Sequence, residues 1–267
     1  MSVLASYSIK GGVGKTTTAV NLAWVAASRG RRVLLWDLDP QGAASYCLRI
    51  AASVKGGAKA MLRRRSRIAR RIKGSDHAGL DLLPADFSYR HMDTLLDDLK
   101  HPRERLRQVL GEVVPDYDLV VLDCPPGISL LSENVFRAAD LLLVPLLPSP
   151  LSMRTLAQLE RHLARKGPQR LRVACFFSMA DGRKRLHKDT ISAQLGRHPG
   201  LLRSVIPYAS DVELMSQRRA PLPSYAPGNP AAAAYRRLWS EVEAVLEGAN
   251  LDQESPAEAA HGPEEPG

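Results

Sequence analysis

The most constraining stretch of this sequence is Lys10-Gly-Gly-Val-Gly-Lys-Thr-Thr17, set between an apolar run at residues 2–9 and a helical pattern from Thr16 to about Ser28 that Gly30 stops. Glycines let consecutive backbone N–H groups turn inward around an anion. A helix opening on the same residues adds its positive end. Strand, glycine loop, lysine, hydroxyl and helix in that order are the context of a phosphate-binding loop. The general pattern, G-x-x-x-x-G-K-S/T, is met except at its first glycine, where Ile9 stands. In such a loop the backbone of Gly11, Gly12, Val13 and Gly14 surrounds the phosphates, and Lys15 reaches the β- and γ-phosphates. Thr16 offers its hydroxyl to Mg²⁺, and Thr17 is placed for another phosphate oxygen. A glycine-rich structural turn would not need the lysine and threonine at this spacing.

The rest of the chain alternates. RRVLLWDLD (31–39) reads as a strand ending in carboxylates, and LDLLP (80–84) as a strand closed by proline. YDLVVLDCPP (117–126) has the look of a buried parallel strand whose end meets a ligand. Further strands are expected at 140–145, 170–177 and 203–207. Helices are expected at 88–114 with a break at Pro102, at 129–138, 152–165 and 186–197, and from Pro230 to Leu246. Residues 41–75 are less regular. The alternation predicts a doubly wound α/β fold, a mostly parallel sheet with helices on both faces. The expected domain is 1–247. The acidic remainder, 248–267, is rich in Pro, Glu, Ala and Gly and is expected to stay disordered.

Charge and composition narrow the partners. Net charge is +9, yet Glu247 to Gly267 holds six acids and no Lys or Arg. The body therefore carries 37 basic against 22 acidic residues, which draws it to polyanions such as nucleic acid or an anionic membrane surface. No apolar run approaches the roughly eighteen residues of a membrane span. The N-terminus meets glycine too soon for a signal peptide. Cys47, Cys124 and Cys175 are widely spaced and odd in number, which gives neither a disulfide framework nor a metal pair. Buried thiols in a reduced, cytoplasmic setting are expected.

Lys10 makes the loop resemble the deviant Walker A motif of the ParA/MinD family of ATPases. DLDPQG (37–42), VVLDCPPG (120–127), VIPYASDVELM (205–215), PLPSYAP (221–227) and AAAAYRRLWSEVEAV (231–245) resemble further motifs of that family, in its order. The resemblance covers nearly all of residues 1–246. It implies ATP and Mg²⁺ as cofactors and slow, partner-stimulated hydrolysis. It also implies that Asp39, at a strand's C-terminal end, orients the attacking water, and that Lys10 crosses into a second subunit's site in an ATP-dependent homodimer. Asp123 falls at the Walker B position. An isolated buried carboxylate needs a cation or donors nearby, and Mg²⁺ through water is the natural partner. Asp37 is either a holder of Mg²⁺-bound water or a hydrogen-bonded helix cap. Gly127 lets the switch backbone approach the γ-phosphate, and the base pocket falls near Met179 and Pro207. Cys124 reads better as a buried thiol than as a ligand.

Branches of that family separate by residues. The basic amphipathic membrane helix of MinD-like proteins, the paired cysteines of iron–sulfur and metal carriers, and the tyrosine cluster of bacterial tyrosine kinases have no counterpart here. A membrane anchor and an N-terminal helix-turn-helix domain are not expected. A ParA-type ATPase fits the basic body best. Its partners would be non-specific DNA and a ParB-like or cargo-adaptor protein, at the nucleoid. Candidate DNA contacts are Arg183, Lys184, Arg185 and Lys188, then Arg218 and Arg219 with Arg236 and Arg237 on the last helix. Nine cations between Lys55 and Lys73 form a third group. Any such run can instead be a solvated face. Tyr208 and Asp211 stand where chromosomal ParA proteins often carry basic residues. Two alternatives stay open: a MinD-like spatial regulator working through protein partners, and a cobyrinate-type ATP-dependent amide-forming synthetase.

Overall fold

Apolar runs too continuous for a half-exposed sheet set the architecture. In β1 (Ser2–Ser6), β2 (Val33–Asp37), β5 (Leu119–Asp123) and β6 (Leu141–Leu146) nearly every residue is buried, as strands covered on both faces must be. The computed structural model describes residues 1–63, 68–113 and 116–248. With β3 (Lys73–Gly74), β4 (Leu80–Leu83), β7 (Arg172–Ala180) and β8 (Leu201–Pro207) these strands form one eight-stranded sheet, ordered β3-β4-β2-β5-β1-β6-β7-β8. Every pairing is parallel except β3 with β4. The antiparallel edge strand was not foreseen; two residues long, it carries no periodicity to read.

The helices are α1 (Lys15–Ser28), α2 (Ala43–Cys47), α3 (Gly57–Leu62), α4 (Met92–Asp97), α5 (Arg105–Leu110), α6 (Leu130–Ala138), α7 (Pro150–Lys166), α8 (Arg185–Gln194), α9 (Ser210–Glu213), α10 (Met215–Arg218), α11 (Leu222–Tyr225) and α12 (Pro230–Leu246). On one face Leu4, Leu35, Val121 and Leu143 pack with α1 and α12. On the other Val3, Leu34, Val120 and Leu142 pack with α4 to α7. The doubly wound arrangement is thus present, with helices on both faces. The 88–114 segment is two short helices on either side of Pro102, preceded by a 3-10 turn at Phe87–His91. α7 starts at Pro150, earlier than expected, because Ser149 caps it and proline suits a first turn. The short helices α9 to α11 fill a stretch that sequence pattern left unassigned. The expected 248–267 tail, Gly248 apart, lies outside the described residues, as do Arg64, Arg65 and Arg67. Among the described residues no helix is long and apolar enough to cross a membrane.

Two features of this topology place the site. β5 lies between β1 and β2, so the chain reverses its winding beside β1, and the crevice forms where those strands end. Register then lines up the ends: Ser6 pairs with Asp123, and Asp123 with Asp37. Asn21 ties α1 to the last third of the chain. Its side-chain N–H donates to the Thr17 carbonyl at 2.9 Å and its carbonyl accepts from the Leu222 N–H at 2.9 Å. Asn21 and Leu222 are both fully buried. Asn21→Ala should therefore orphan a buried amide and lower the unfolding free energy by about 1–3 kcal/mol. Urea denaturation followed by circular dichroism checks this; a loss under a few tenths would mean that water replaces the contact.

Candidate functional site

The glycine loop takes a conformation that only its glycines allow. Gly12 and Gly14 have φ of +71° and +91°, and a Cβ on Gly14 would stand 2.9 Å from Ser178 Oγ. Gly14 caps α1 without a side chain, and no acidic residue sits in the first turn. The amides of Lys15, Thr16 and Thr17 precede the first intrahelical bond, from Thr18 N–H to the Gly14 carbonyl at 2.9 Å. They are the orphan donors of a helix start, at its positive pole. Ser6 Oγ donates to the Lys15 carbonyl at 2.9 Å, which fastens the start of α1 to β1, and Thr18 Oγ1 donates to the Gly14 carbonyl at 2.7 Å within the first turn. Lys15 is buried, and its Nζ donates to the Lys10 carbonyl at 3.2 Å, so it folds back over the loop. Burial holds its pKa down, while the charges of Asp123 and Asp39 oppose the shift.

Opposite stand the carboxylates. Asp123 is fully buried and neither oxygen has a hydrogen-bond partner. Burial and the Asp37 charge push its pKa well above the usual carboxylate range; the nearby Thr16 hydroxyl and Lys15 ammonium pull the other way. A donor-starved carboxylate beside two more acids fits a cation. No group of three or more His, Cys, Asp or Glu among the described residues could hold a metal alone. Mg²⁺ keeps waters and takes one or two carboxylates plus substrate phosphates, a demand that Asp123 with the Thr16 hydroxyl beside it can meet. Asp37 is different. It accepts from Ser45 N–H at 2.8 Å, Ser45 Oγ at 2.7 Å and Asp39 N–H at 3.2 Å, and burial raises its pKa to about 6. Of its two readings the cap of α2 is the one with contacts. Asp39 is half-buried, and one oxygen accepts from Gln41 N–H at 2.9 Å.

Around this pair the other expected residues fall at strand ends. Gly127, φ +99°, sits in the turn after β5 with open space where a Cβ would be. Met179 and Pro207 end β7 and β8, where Ala180 pairs with Pro207. The Gly14–Ser178 approach brings the end of β7 against the loop. Lys10 is half-buried, its N–H donating to Ser8 Oγ at 3.3 Å. Cys124 is a buried free thiol. Tyr7 went unremarked in the sequence: its hydroxyl donates to the Gly127 carbonyl at 2.9 Å. No local pattern announces a contact across so many residues.

The basic clusters divide. Arg183 and Lys184, between β7 and α8, and Arg185 and Lys188, in the first turn of α8, are all exposed, with Arg183 on Asp181 at 3.0 Å and Arg185 on Asp189 at 3.5 Å. Arg219 is a strut: its guanidinium lies 4.5 Å over the Tyr46 ring and donates to the Tyr46 carbonyl. Arg218 is exposed, while its carbonyl and that of Arg219 accept from Arg49. Arg71, counted among the Lys55–Lys73 cations, is buried and donates to the Lys55 carbonyl. Tyr208 and Asp211 are also engaged, with Glu213 at 2.7 Å and Asn229 at 2.5 Å.

Residues 1–168 match the model of a family described as an AAA domain. The chain is 36% identical over 246 residues to the chromosome-partitioning ATPase Soj of Thermus thermophilus, covering 89% of this chain and 94% of that protein. It belongs to the ParA/MinD family of ATPases. Among solved structures, cobyrinic acid a,c-diamide synthase from Mycobacterium smegmatis, with an ATP analogue and magnesium, superposes with a TM-score of 0.78 at 25% identity, over 93% of this chain and 96% of that one. A single-residue variant of McdA from Cyanothece, in complex with ATP, gives 0.79 at 20% identity over 95% and 99%; at that identity it speaks for the fold alone.

The raised carboxylates make stability pH-dependent. Folded Asp37 and Asp123 hold protons that the unfolded chain releases near pH 3.8, so stability should fall as pH rises through about 4 to 6 and above. Asp123→Asn should flatten that loss, and added Mg²⁺ should stabilise the unaltered protein more than the variant. Melting curves at pH 5 and pH 8, with chelator and with Mg²⁺, check both; matching profiles would clear Asp123 of either role.

Proposed function

We propose that this ParA/MinD-family ATPase is a Mg²⁺-dependent, ATP-switched dimer that binds DNA non-specifically and positions a plasmid, a chromosome region or a protein cargo. The observation that carries the nucleotide half is the uncapped start of α1 facing the donor-starved Asp123 across the glycine loop. Its likeness to a chromosome-partitioning ATPase supports the rest. The loop amides and Lys15 would bind the phosphates, with Thr16 and Asp123 holding Mg²⁺, which neutralises phosphate charge. Asp39 would orient the attacking water. Lys10 would reach the partner's phosphates and so make dimerisation ATP-dependent. Met179 and Pro207 would line the base pocket. Residues 1–247 form the ATPase unit in this reading, and 248–267 its acidic appendage. The setting is the cytoplasm, at the nucleoid, with a ParB-like or cargo-adaptor protein as stimulator.

The exposed Arg183–Lys188 cluster is the strongest candidate for the DNA surface, joined by Arg218. The engaged Tyr208, Asp211 and Arg219 favour the second reading, a MinD-like regulator that works through proteins. The likeness to a diamide synthase extends over the fold, but supplies no residue for a second substrate here.

Two paired variants separate the catalytic roles. Asp39→Ala should keep ATP binding and lose about 100-fold or more in hydrolysis, trapping the dimer. Lys10→Ala should bind ATP through Lys15 yet stay monomeric in light scattering. Full activity in the first, or a normal ATP dimer in the second, would remove that residue from its role. DNA binding should require ATP, ignore sequence and weaken steeply with salt. Reversing Arg183 and Arg185 to Glu should lower the slope of log affinity against log salt by about 2 per subunit, roughly 4 for the dimer. Gel shifts on unrelated duplexes with ATP and with ADP check this; equal binding with both would reject the ATP gate, and none at low salt would favour the protein-partner reading.

A further inference from the structure

Tyr7 stands just past β1, three positions before Lys10, and is fully buried. It is held at two places before its hydroxyl is considered. Its N–H donates to the Leu143 carbonyl of β6 at 3.0 Å. Its ring meets Phe136 of α6 edge-on, with centroids 5.0 Å apart at 87°. The phenol is therefore a fixed donor, and it donates to the carbonyl of Gly127 at 2.9 Å.

The turn that receives this bond has little else to hold it. Cys124 N–H bonds to the Ser6 carbonyl at 3.3 Å, and Ser129 begins the capping box of α6. Between them Pro125 and Pro126 have no N–H to give. Among the described residues, 125–128 make no hydrogen bond other than the one from Tyr7. Ile128 is exposed, so packing adds little there. A glycine with φ of +99° would otherwise be the freest point of the turn.

We propose that Tyr7 is a positioning residue whose hydroxyl latches the 124–129 turn to the end of the strand feeding the glycine loop. The role builds on the nucleotide-site reading: the turn follows Asp123 and carries the backbone expected to meet the γ-phosphate. A latch of this kind fixes the distance between the two phosphate-facing segments, the loop after β1 and the turn after β5. Burial keeps the phenol protonated far above neutral pH, so the donor is not lost by titration.

Tyr7→Phe keeps the ring on Phe136 and removes only the donor. Without nucleotide, the two bonded amides that flank the turn, Cys124 on the Ser6 carbonyl and Ser129 on Ser132 Oγ, should exchange hydrogen about fivefold faster, the loosening expected for one lost hydrogen bond. With Mg-ATP, kcat should fall on the order of tenfold while KM stays within about twofold, because the turn is misplaced for chemistry and the loop still binds. Val135→Ala, which weakens α6 packing but leaves the phenol, should lower the melting temperature and keep kcat. Unchanged exchange in Tyr7→Phe would overturn the latch, as would an unchanged kcat or the same kcat loss in Val135→Ala. If the unaltered protein does not bind ATP, the nucleotide reading fails instead, and the exchange measurement still decides the latch.

Discussion

A carboxylate buried in the sheet, with only the nearby Thr16 hydroxyl and Lys15 ammonium to ease its charge, governs this molecule. Asp123 ends the β5 strand, fully buried, with β1 and β2 paired on either side of it. Register places Asp37 beside it on one side and Ser6 on the other. Ser6 in turn holds the Lys15 carbonyl, and Asp37 holds the start of α2 through Ser45. The glycine loop, the lysine folded over it and the helix that follows are thus set by contacts radiating from one row of strand ends. That row is costly to hold charged and is relieved by protons or by a cation.

The cost must be offset away from the site. Surface ion pairs such as Arg31 with Glu243 and Glu247 contribute little each. Burial contributes more. α1 is sandwiched between the sheet and α12, where Tyr235, Leu238 and Trp239 are wholly or nearly wholly buried, and each large apolar side chain removed from water is worth roughly 1.5–3 kcal/mol. A helix anchored along its length can leave its first turn uncapped and facing a buried acid. The loop end can then be arranged for a ligand at the expense of local stability.

Much of this was readable in the chain. The glycine loop, the strand ending at Asp123 and the alternation of elements are local patterns, and local patterns survive folding. Asp37 could be narrowed to two roles but not one, because Ser45, its partner, lies in a segment of weak periodicity. The charge clusters misled where charge alone was counted: Arg71 and Arg219 are cations in sequence and struts in space, since their stems and forks bridge backbone carbonyls. The edge strand β3 and helices α9 to α11 span about one period each, too little for a repeat to show.

Tyr7 shows the remaining blind spot. In sequence it is one apolar-looking residue among others ahead of the loop, and its ring alone would justify the burial. Only the fold brings its hydroxyl to Gly127. A buried phenol without an acceptor is penalised by roughly 1–3 kcal/mol, so the tyrosine depends on the turn as much as the turn depends on it. The turn after β5 and the end of β1 cannot shift apart without breaking that bond. A ligand that draws the turn after β5 must therefore either carry the end of β1 with it or release the phenol, and the second course leaves the buried hydroxyl with only the Ser132 side chain nearby. In the proposed latch, the bond from Tyr7 would make the turn and the end of β1 respond as one unit.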